Sequence, residues 1–283
     1  MTQPLADYAA WVGRTETRID TVTAAPITRL AATLDRGDGH PPSIAPPLAH
    51  WLFFLPDEAQ SRIGQDGHPE RGGFLPPVHE LPRRMWAGSR LRLDGEIRVG
   101  MALERRSTIL SVKAKEGESG RLVFVTVLHE IGEPGKPVLV REEQDIVFRG
   151  LGGAAAKAAP SAGEPGPWRR VLQPDPVLLF RYSALTFNAH RIHYDRDYAM
   201  NAEGYPGLVV HGPLIATLLI DLVGRHTDRR VASFAFRGVS PLFAGRSMAV
   251  NATEPDADGK IRLWAENDEG GLAMTAEASL VPS

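Results

Sequence analysis

At 283 residues, 43% hydrophobic and 23% charged, the chain has the composition of a soluble globular protein, long enough for one large domain or two ordinary ones. A formal net charge of -2 gives no global reason to bind nucleic acid or an anionic membrane, so an anionic ligand must be met locally. The lack of cysteine excludes disulfides, thiolate metal sites, iron–sulfur clusters and cysteine nucleophiles. The first residues have neither the basic start and apolar core of a signal peptide nor the acid-poor character of a transit peptide. No segment reaches the roughly 18 uninterrupted apolar residues of a membrane span. A cytoplasmic protein is expected.

In chain order, the first strong signal is "IAPPLAHWLFFL" (Ile44 to Leu55), a short apolar run expected to form a helix. "MWAGSRLRL" (Met85 to Leu93) follows with strand character, and "RLVFVTVLHEI", "GEPGK" and "PVLVREEQDIVFR" predict a hairpin from Arg121 onward. From 149 to 170, glycine, alanine and proline replace the periodic pattern, as in a linker. It separates residues 1–148 from residues 171–283. Beyond it, "FNAHRIHYDRDYA" (Phe187 to Ala199) sets two histidines three apart beside an asparagine and two aspartates. In the run "VHGPLIATLLIDLV" (Val210 to Val223), Pro213 to Val223 is apolar around its circumference apart from Thr217 and Asp221, which predicts a helix buried on nearly all sides. Pro213 fits its first turn, where a missing N–H is harmless. "KIRLWAE" and "LAMTAEASLV", joined by "NDEGG", predict a second hairpin.

The halves are similar. Setting Pro47-Leu48 over Pro213-Leu214 aligns the two apolar runs, and "MWAGSRLRL" then falls near "LFAGRSMAV" (Leu242 to Val250), both with aromatic-Ala-Gly. A repeat of this size implies duplication of a whole small domain. The expected fold is α+β: two antiparallel sheets, each wrapped around one buried helix.

"ALTFNAHRIHYDRDYA" followed by "GLVVHGPLIATLL" resembles the second half of the MaoC-like, R-specific enoyl-thioester hydratases and dehydratases, which have the double hotdog fold. The likeness spans essentially the whole chain and is similar to the branch holding mitochondrial-type 3-hydroxyacyl-thioester dehydratases and the mesaconyl-C4-CoA and itaconyl-CoA hydratases. It implies a degenerate first domain and a catalytic second one. The family's Asp and the His five residues later fall here on Asn188 and His193. Its asparagine falls on His190 and its proline on Arg191, so the histidine is kept and the aspartate is replaced.

The resemblance implies a hydro-lyase that adds water to, or removes it from, the double bond of a short, branched dicarboxyl-CoA thioester, foremost mesaconyl-C4-CoA or itaconyl-CoA. The alternative is 3-hydroxyacyl-thioester dehydration, or R-specific hydration of monocarboxyl enoyl-CoA. Such chemistry needs a proton carrier, a held water and a stabilised enolate oxygen. His193 is expected to carry the proton. Asn188, unable to exchange protons, is expected to hold the water, and backbone N–H groups near Gly212 to hold the enolate oxygen. His190 and His211 are open between substrate contact and structural hydrogen bonding. Arg181, Arg191 and Arg237 are candidates for a second carboxylate, whereas Arg83-Arg84, Arg90-Arg92 and Arg169-Arg170 are expected to be solvated surface, with contact to the phosphates of coenzyme A as the alternative. No metal or redox cofactor is implied, since coenzyme A is part of the substrate. Rival chemistries are an acyl-CoA thioesterase and a metal enzyme using His193 and Asp195 with His211 or His226. Between Thr15 and Pro46 there is no N-x-x-x-x-H, so the first domain is expected to supply shape: a moved or shortened helix, with prolines Pro41, Pro42, Pro46 and Pro47 at its approach, would leave room for the acyl chain. A double hotdog is complete as a monomer or can pair into a homodimer.

Overall fold

The computed structural model describes residues 8–37, 43–117, 120–150 and 158–282. Within them, ten antiparallel strands form one continuous sheet in two five-stranded halves. The first half contains β1 (Thr15–Thr21), β2 (Arg83–Leu93), β3 (Ala102–Gly117), β4 (Gly120–Gly132) and β5 (Val140–Arg149). The second contains β6 (Trp168–Leu172), β7 (Val231–Gly238), β8 (Met248–Ala252), β9 (Lys260–Asn267) and β10 (Leu272–Leu280). The order β1-β3-β4-β5-β2-β7-β10-β9-β8-β6 makes the second half a mirror in sequence of the first, with β2 and β7 meeting at the seam. Both expected hairpins form, as β4–β5 and β9–β10. Glycine is required at the seam: a Cβ on Gly88 would sit 2.3 Å from the Phe236 carbonyl oxygen. Joining the halves edge to edge removes two exposed edges.

Four helices among the described residues complete the fold: α1 (Ala24–Thr33), α2 (Pro176–Thr186), α3 (Arg196–Asn201) and α4 (Gly212–His226). As its composition requires, α4 buries every residue from Leu214 to Val223. Asp221 in that stretch is met by Arg36, by Arg225 at 2.6 Å and by Arg170 at 3.4 Å, so a buried carboxylate on the second half's helix is clamped partly by the chain that follows α1. The α2 helix starts on a side-chain cap, Asp175 accepting from the Leu178 N–H at 2.7 Å with Pro176 next in line.

Two expectations are corrected. Ile44 to Leu55 is no helix: Leu48 takes a left-handed φ of 69° and only a 3-10 turn, Ala49–Leu52, follows. Pro46 and Pro47 withhold N–H donors and push the residues before them out of the helical region. Pro41, Pro42 and residues 151–157 of the expected linker lie outside the described residues. The repeat is also registered differently. The counterpart of β2 is β7, not the segment leading to β8. Ala87-Gly88 lies within a strand, whereas Ala244-Gly245 is loop with Gly245 at φ +86°, so the shared dipeptide serves two different conformations. Among the described residues no helix is long and apolar enough to cross a membrane.

Candidate active site

A cavity of about 1590 Å³ runs across both halves, and the 188–193 motif opens onto it. The 3-10 turn Arg191–His193 follows α2 and carries His193 inward, 7% exposed. The His193 Nδ1–H donates to the Val209 carbonyl oxygen at 2.8 Å, which leaves Nε2 as the acceptor. Its ring stacks on His211 at 3.6 Å between centroids, and His211 Nε2 pairs with Ser183 Oγ at 2.8 Å. Burial, followed by the neighbouring His211, holds His193 well below the ordinary histidine range, and burial pushes His211 down to about 3. His193 therefore rests as a neutral base.

Asn188 lines the cavity, with its Oδ1 accepting from the His190 N–H at 3.0 Å, so its amide NH2 is the end left for a ligand. Gly212 begins α4 on the cavity wall. Pro213 has no N–H, and the first-turn amides of a helix lack intrahelical acceptors. A Cβ on Gly212 would meet nothing nearer than the Trp86 carbonyl oxygen at 3.9 Å, so packing within the protein does not itself demand glycine there.

His190 is buried on the same wall, its Nε2 3.6 Å from Glu203, and Glu203 pairs with Arg83 at 3.1 Å. His190 also faces His68, ring centroids 4.3 Å apart. His68 comes from the first half, and its Nδ1 bonds the Asp66 carboxylate at 2.9 Å. Sequence reasoning missed Asp66, His68, Glu203 and Arg84. "QDGHP" is a visible turn signal, but nothing local predicts contact with residues so distant in the chain.

The expected carboxylate-binding arginines are corrected. Arg181 and Arg237 are exposed, Arg191 pairs with Asp195 at 2.7 Å, and none lines the cavity. Arg84 and Arg105 do line it. The Arg84 side chain, expected on the surface, makes no hydrogen bond or ion pair with any described residue; burial pushes it down to about 10, still charged at neutral pH. The metal set built on His193 and Asp195 does not assemble. Asp195 caps α3 and holds Arg191, and His226 stacks on Trp168 at 4.6 Å. A different trio, Asp66, His68 and His190, has ligand-type atoms within 4.8 Å of one another.

A polar network fills the space beside the shortened turn of the first half. Glu142, 2% exposed, accepts from His50 Nε2 at 2.9 Å, Trp51 Nε1 at 3.0 Å and Ser89 Oγ at 2.7 Å. Burial alone would raise its pKa, but the hydrogen bond from His50 and that ring's charge outweigh it and bring Glu142 down to about 2.

Two five-stranded halves joined in one sheet, the second closing over an apolar helix with a neutral histidine beside its start, define a double hotdog suited to acid–base chemistry on a thioester. The chain belongs to the family of hydroxyacyl-thioester dehydratase type 2, which matches residues 48–244, and it is a hydro-lyase. It is 47% identical to a Chloroflexus aurantiacus protein named mesaconyl-C(4)-CoA hydratase, over 97% of this chain and 98% of that one. Its fold is similar to that of a MaoC-like dehydratase (TM-score 0.73, 14% identity, 97% and 99% of the two chains) and of a Mycobacterium tuberculosis protein described as a double hotdog (TM-score 0.57, 14% identity, 95% and 96%).

Proposed function

We propose that the protein adds water to the double bond of mesaconyl-C4-CoA or a closely similar dicarboxyl-CoA thioester, such as itaconyl-CoA, in the cytoplasm. The observation that carries this is Arg84: an unpaired guanidinium on the wall of the cavity that also holds His193 is a ready partner for a free acyl carboxylate. The 47% identity to a protein of that name supports it.

In this scheme His193 Nε2 takes a proton from water as the oxygen bonds the β-carbon. The double-bond electrons move to the thioester carbonyl, whose oxygen rests at the amides opening α4 near Gly212. His193 then returns the proton to the α-carbon. The Asn188 NH2 orients the water through its oxygen. His190 and His211 support the histidine cluster rather than the substrate. No cofactor takes part, coenzyme A arriving as part of the substrate. Residues 1–148 act as the acyl-accommodating half and residues 171–283 supply His193.

A second reading, dehydration of a 3-hydroxyacyl thioester, is favoured by the apolar stretch of the cavity at Phe53, Phe54, Ile131 and Ile146, which has room for a longer chain. Thioester absorbance followed with mesaconyl-C4-CoA, itaconyl-CoA and crotonyl-CoA in parallel separates the two. Hydration of the dicarboxyl substrates alone, with a raised KM for them in Arg84→Gln, is the expected result. Activity on crotonyl-CoA alone selects the second reading, and release of free thiol would make the protein a thioesterase.

A further inference from the structure

We propose that His68, braced by Asp66 on a loop of the first half, is a catalytic residue: it accepts a hydrogen bond from the attacking water while His193 takes the proton. The inference rests on the hydration chemistry above. His193 is backed by a carbonyl and a second imidazole, and among the described residues no carboxylate touches it. Asn188 offers the water a donor only. A water poised for attack needs an acceptor on each O–H, and beyond His193 the neighbouring imidazole of the second half, His190, turns its Nε2 toward Glu203 at 3.6 Å.

The loop is built to deliver the other. Residues 62–70 fold back on themselves through an Ile63–Pro69 bridge, with Glu70 N–H donating to the Arg62 carbonyl oxygen at 2.9 Å and Gly64 N–H to that of His68 at 2.7 Å. The loop is then fastened to the motif. The Arg191 N–H donates to the Asp66 carbonyl oxygen at 2.9 Å and Arg191 Nη1 to that of Gln65 at 3.0 Å. Gly67, at φ +90°, lies so close that a Cβ would fall 1.8 Å from the Ala189 carbonyl oxygen; only glycine permits the contact. Asp66 receives both the backbone N–H of His68, at 3.0 Å, and its Nδ1–H, at 2.9 Å. That fixes the tautomer and turns Nε2, which bonds no described residue, into an acceptor on the cavity wall. His68 packs on His190 at 4.3 Å between ring centroids and His190 on His193 at 5.4 Å, so the three imidazoles share one stretch of the cavity wall.

The proton count closes. Water loses one proton to His193 Nε2, the C–O bond forms, the enolate collapses, and the same proton goes to the α-carbon. His68 keeps its own proton throughout and Asp66 remains ionised. Asp66 is thus a positioning residue.

The test is steady-state kinetics of His68→Ala, His68→Gln and Asp66→Asn in the full chain, with and without added imidazole, on whichever thioester the wild type hydrates. His68→Ala is expected to lower kcat about a hundredfold, with KM changed far less. Saturating imidazole should recover part of it, and His68→Gln, whose side-chain carbonyl can still accept, should retain more than His68→Ala. Asp66→Asn, which can reverse the tautomer, should fall close to His68→Ala. Wild-type kcat in His68→Ala overturns the proposal, as does an equal loss in Ala and Gln variants without imidazole response. A stoichiometric divalent metal on Asp66, His68 and His190 whose chelation abolishes activity overturns it too. A wild type that hydrates no thioester refutes the hydratase reading instead.

Discussion

The two halves of the sheet share their topology and differ in what they enclose. The second half closes over α4, whose Leu214 to Val223 stretch fills the space with aliphatic side chains. The first half has only the 3-10 turn Ala49–Leu52 at the matching place, and its space is part cavity, part polar network around Glu142. One architecture thus tolerates a packed helix or an accommodating hollow, provided that polar groups exposed by the missing helix find internal partners. On the function proposed above, duplication lets one copy keep the helix beside the reaction centre while the other opens to the substrate.

The sharpest chemical contrast is His193, for which the described residues of the first half hold no counterpart after their own turn. His193→Ala should lower kcat about a thousandfold, near 4 kcal/mol of transition-state stabilisation, measured with folding checked by circular dichroism. A residual rate above a tenth of wild type would remove His193 from the chemistry and shift weight to the first-half loop.

Packing gives the next contrast. Leu219 is fully buried in α4, and Leu219→Ala should lower stability by about 2–5 kcal/mol, because the hole it leaves is closed. Ile131 in β4 is as well buried but borders the existing cavity, so Ile131→Ala should sit at the low end, about 2 kcal/mol. Equal losses in urea titrations would mean that the first half is packed as tightly as the second.

Acid stability separates the Glu142 network of the first half from the buried histidines in pH. Glu142 has a folded-state pKa near 2 against an ordinary 4.5, so its contribution is complete above about 4.5 and disappears as pH falls toward 2, roughly 3 kcal/mol in all. The buried His193 and His211, with the half-buried His129, act earlier. Held neutral in the fold, they let the unfolded chain bind more protons below about 6.5, and stability declines from there. Denaturation midpoints against pH should therefore show two descending steps, and Glu142→Gln should flatten only the lower one.

Those contrasts follow how far each half is legible in the sequence. Alternation gives away both hairpins, and the unbroken apolar run of α4 can only be a buried helix. The Asn188–His193 spacing also marks a stretch that lines the cavity. The first half misleads because Ile44 to Leu55 has helical composition while Pro46 and Pro47 decide its backbone, a case where two residues outweigh twelve. Neither α1, with its short stripe of Ile27 and Leu30, nor α2, despite the Asp175-Pro176 start, stands out. Arg84 and the Asp66–His68 pair are invisible for a different reason: their meaning lies in what faces them across the fold, and Gly67, which permits that approach, looks like any turn glycine.

The smallest expected effect bears most directly on how the second half works without a carboxylate of its own at residue 188. Asn188→Ala removes one donor to water and the turn bond to the His190 N–H, and should lower kcat only about tenfold, the worth of a typical hydrogen bond. Asn188→Asp is the more informative change. The introduced carboxylate can accept from the His190 N–H as the asparagine does, so the turn survives, but it places a negative charge beside the histidine cluster. An imidazolium at His193 would then be stabilised and its pKa raised. Where the wild type, with His193 held well below its usual range, should show kcat/KM flat from about pH 6 to 8, the Asn188→Asp variant should lose activity on the acid side of that interval as the base becomes protonated. A flat profile in both would mean that residue 188 lies too far from His193 to feel its charge, and the water would then have to be held by the first-half loop.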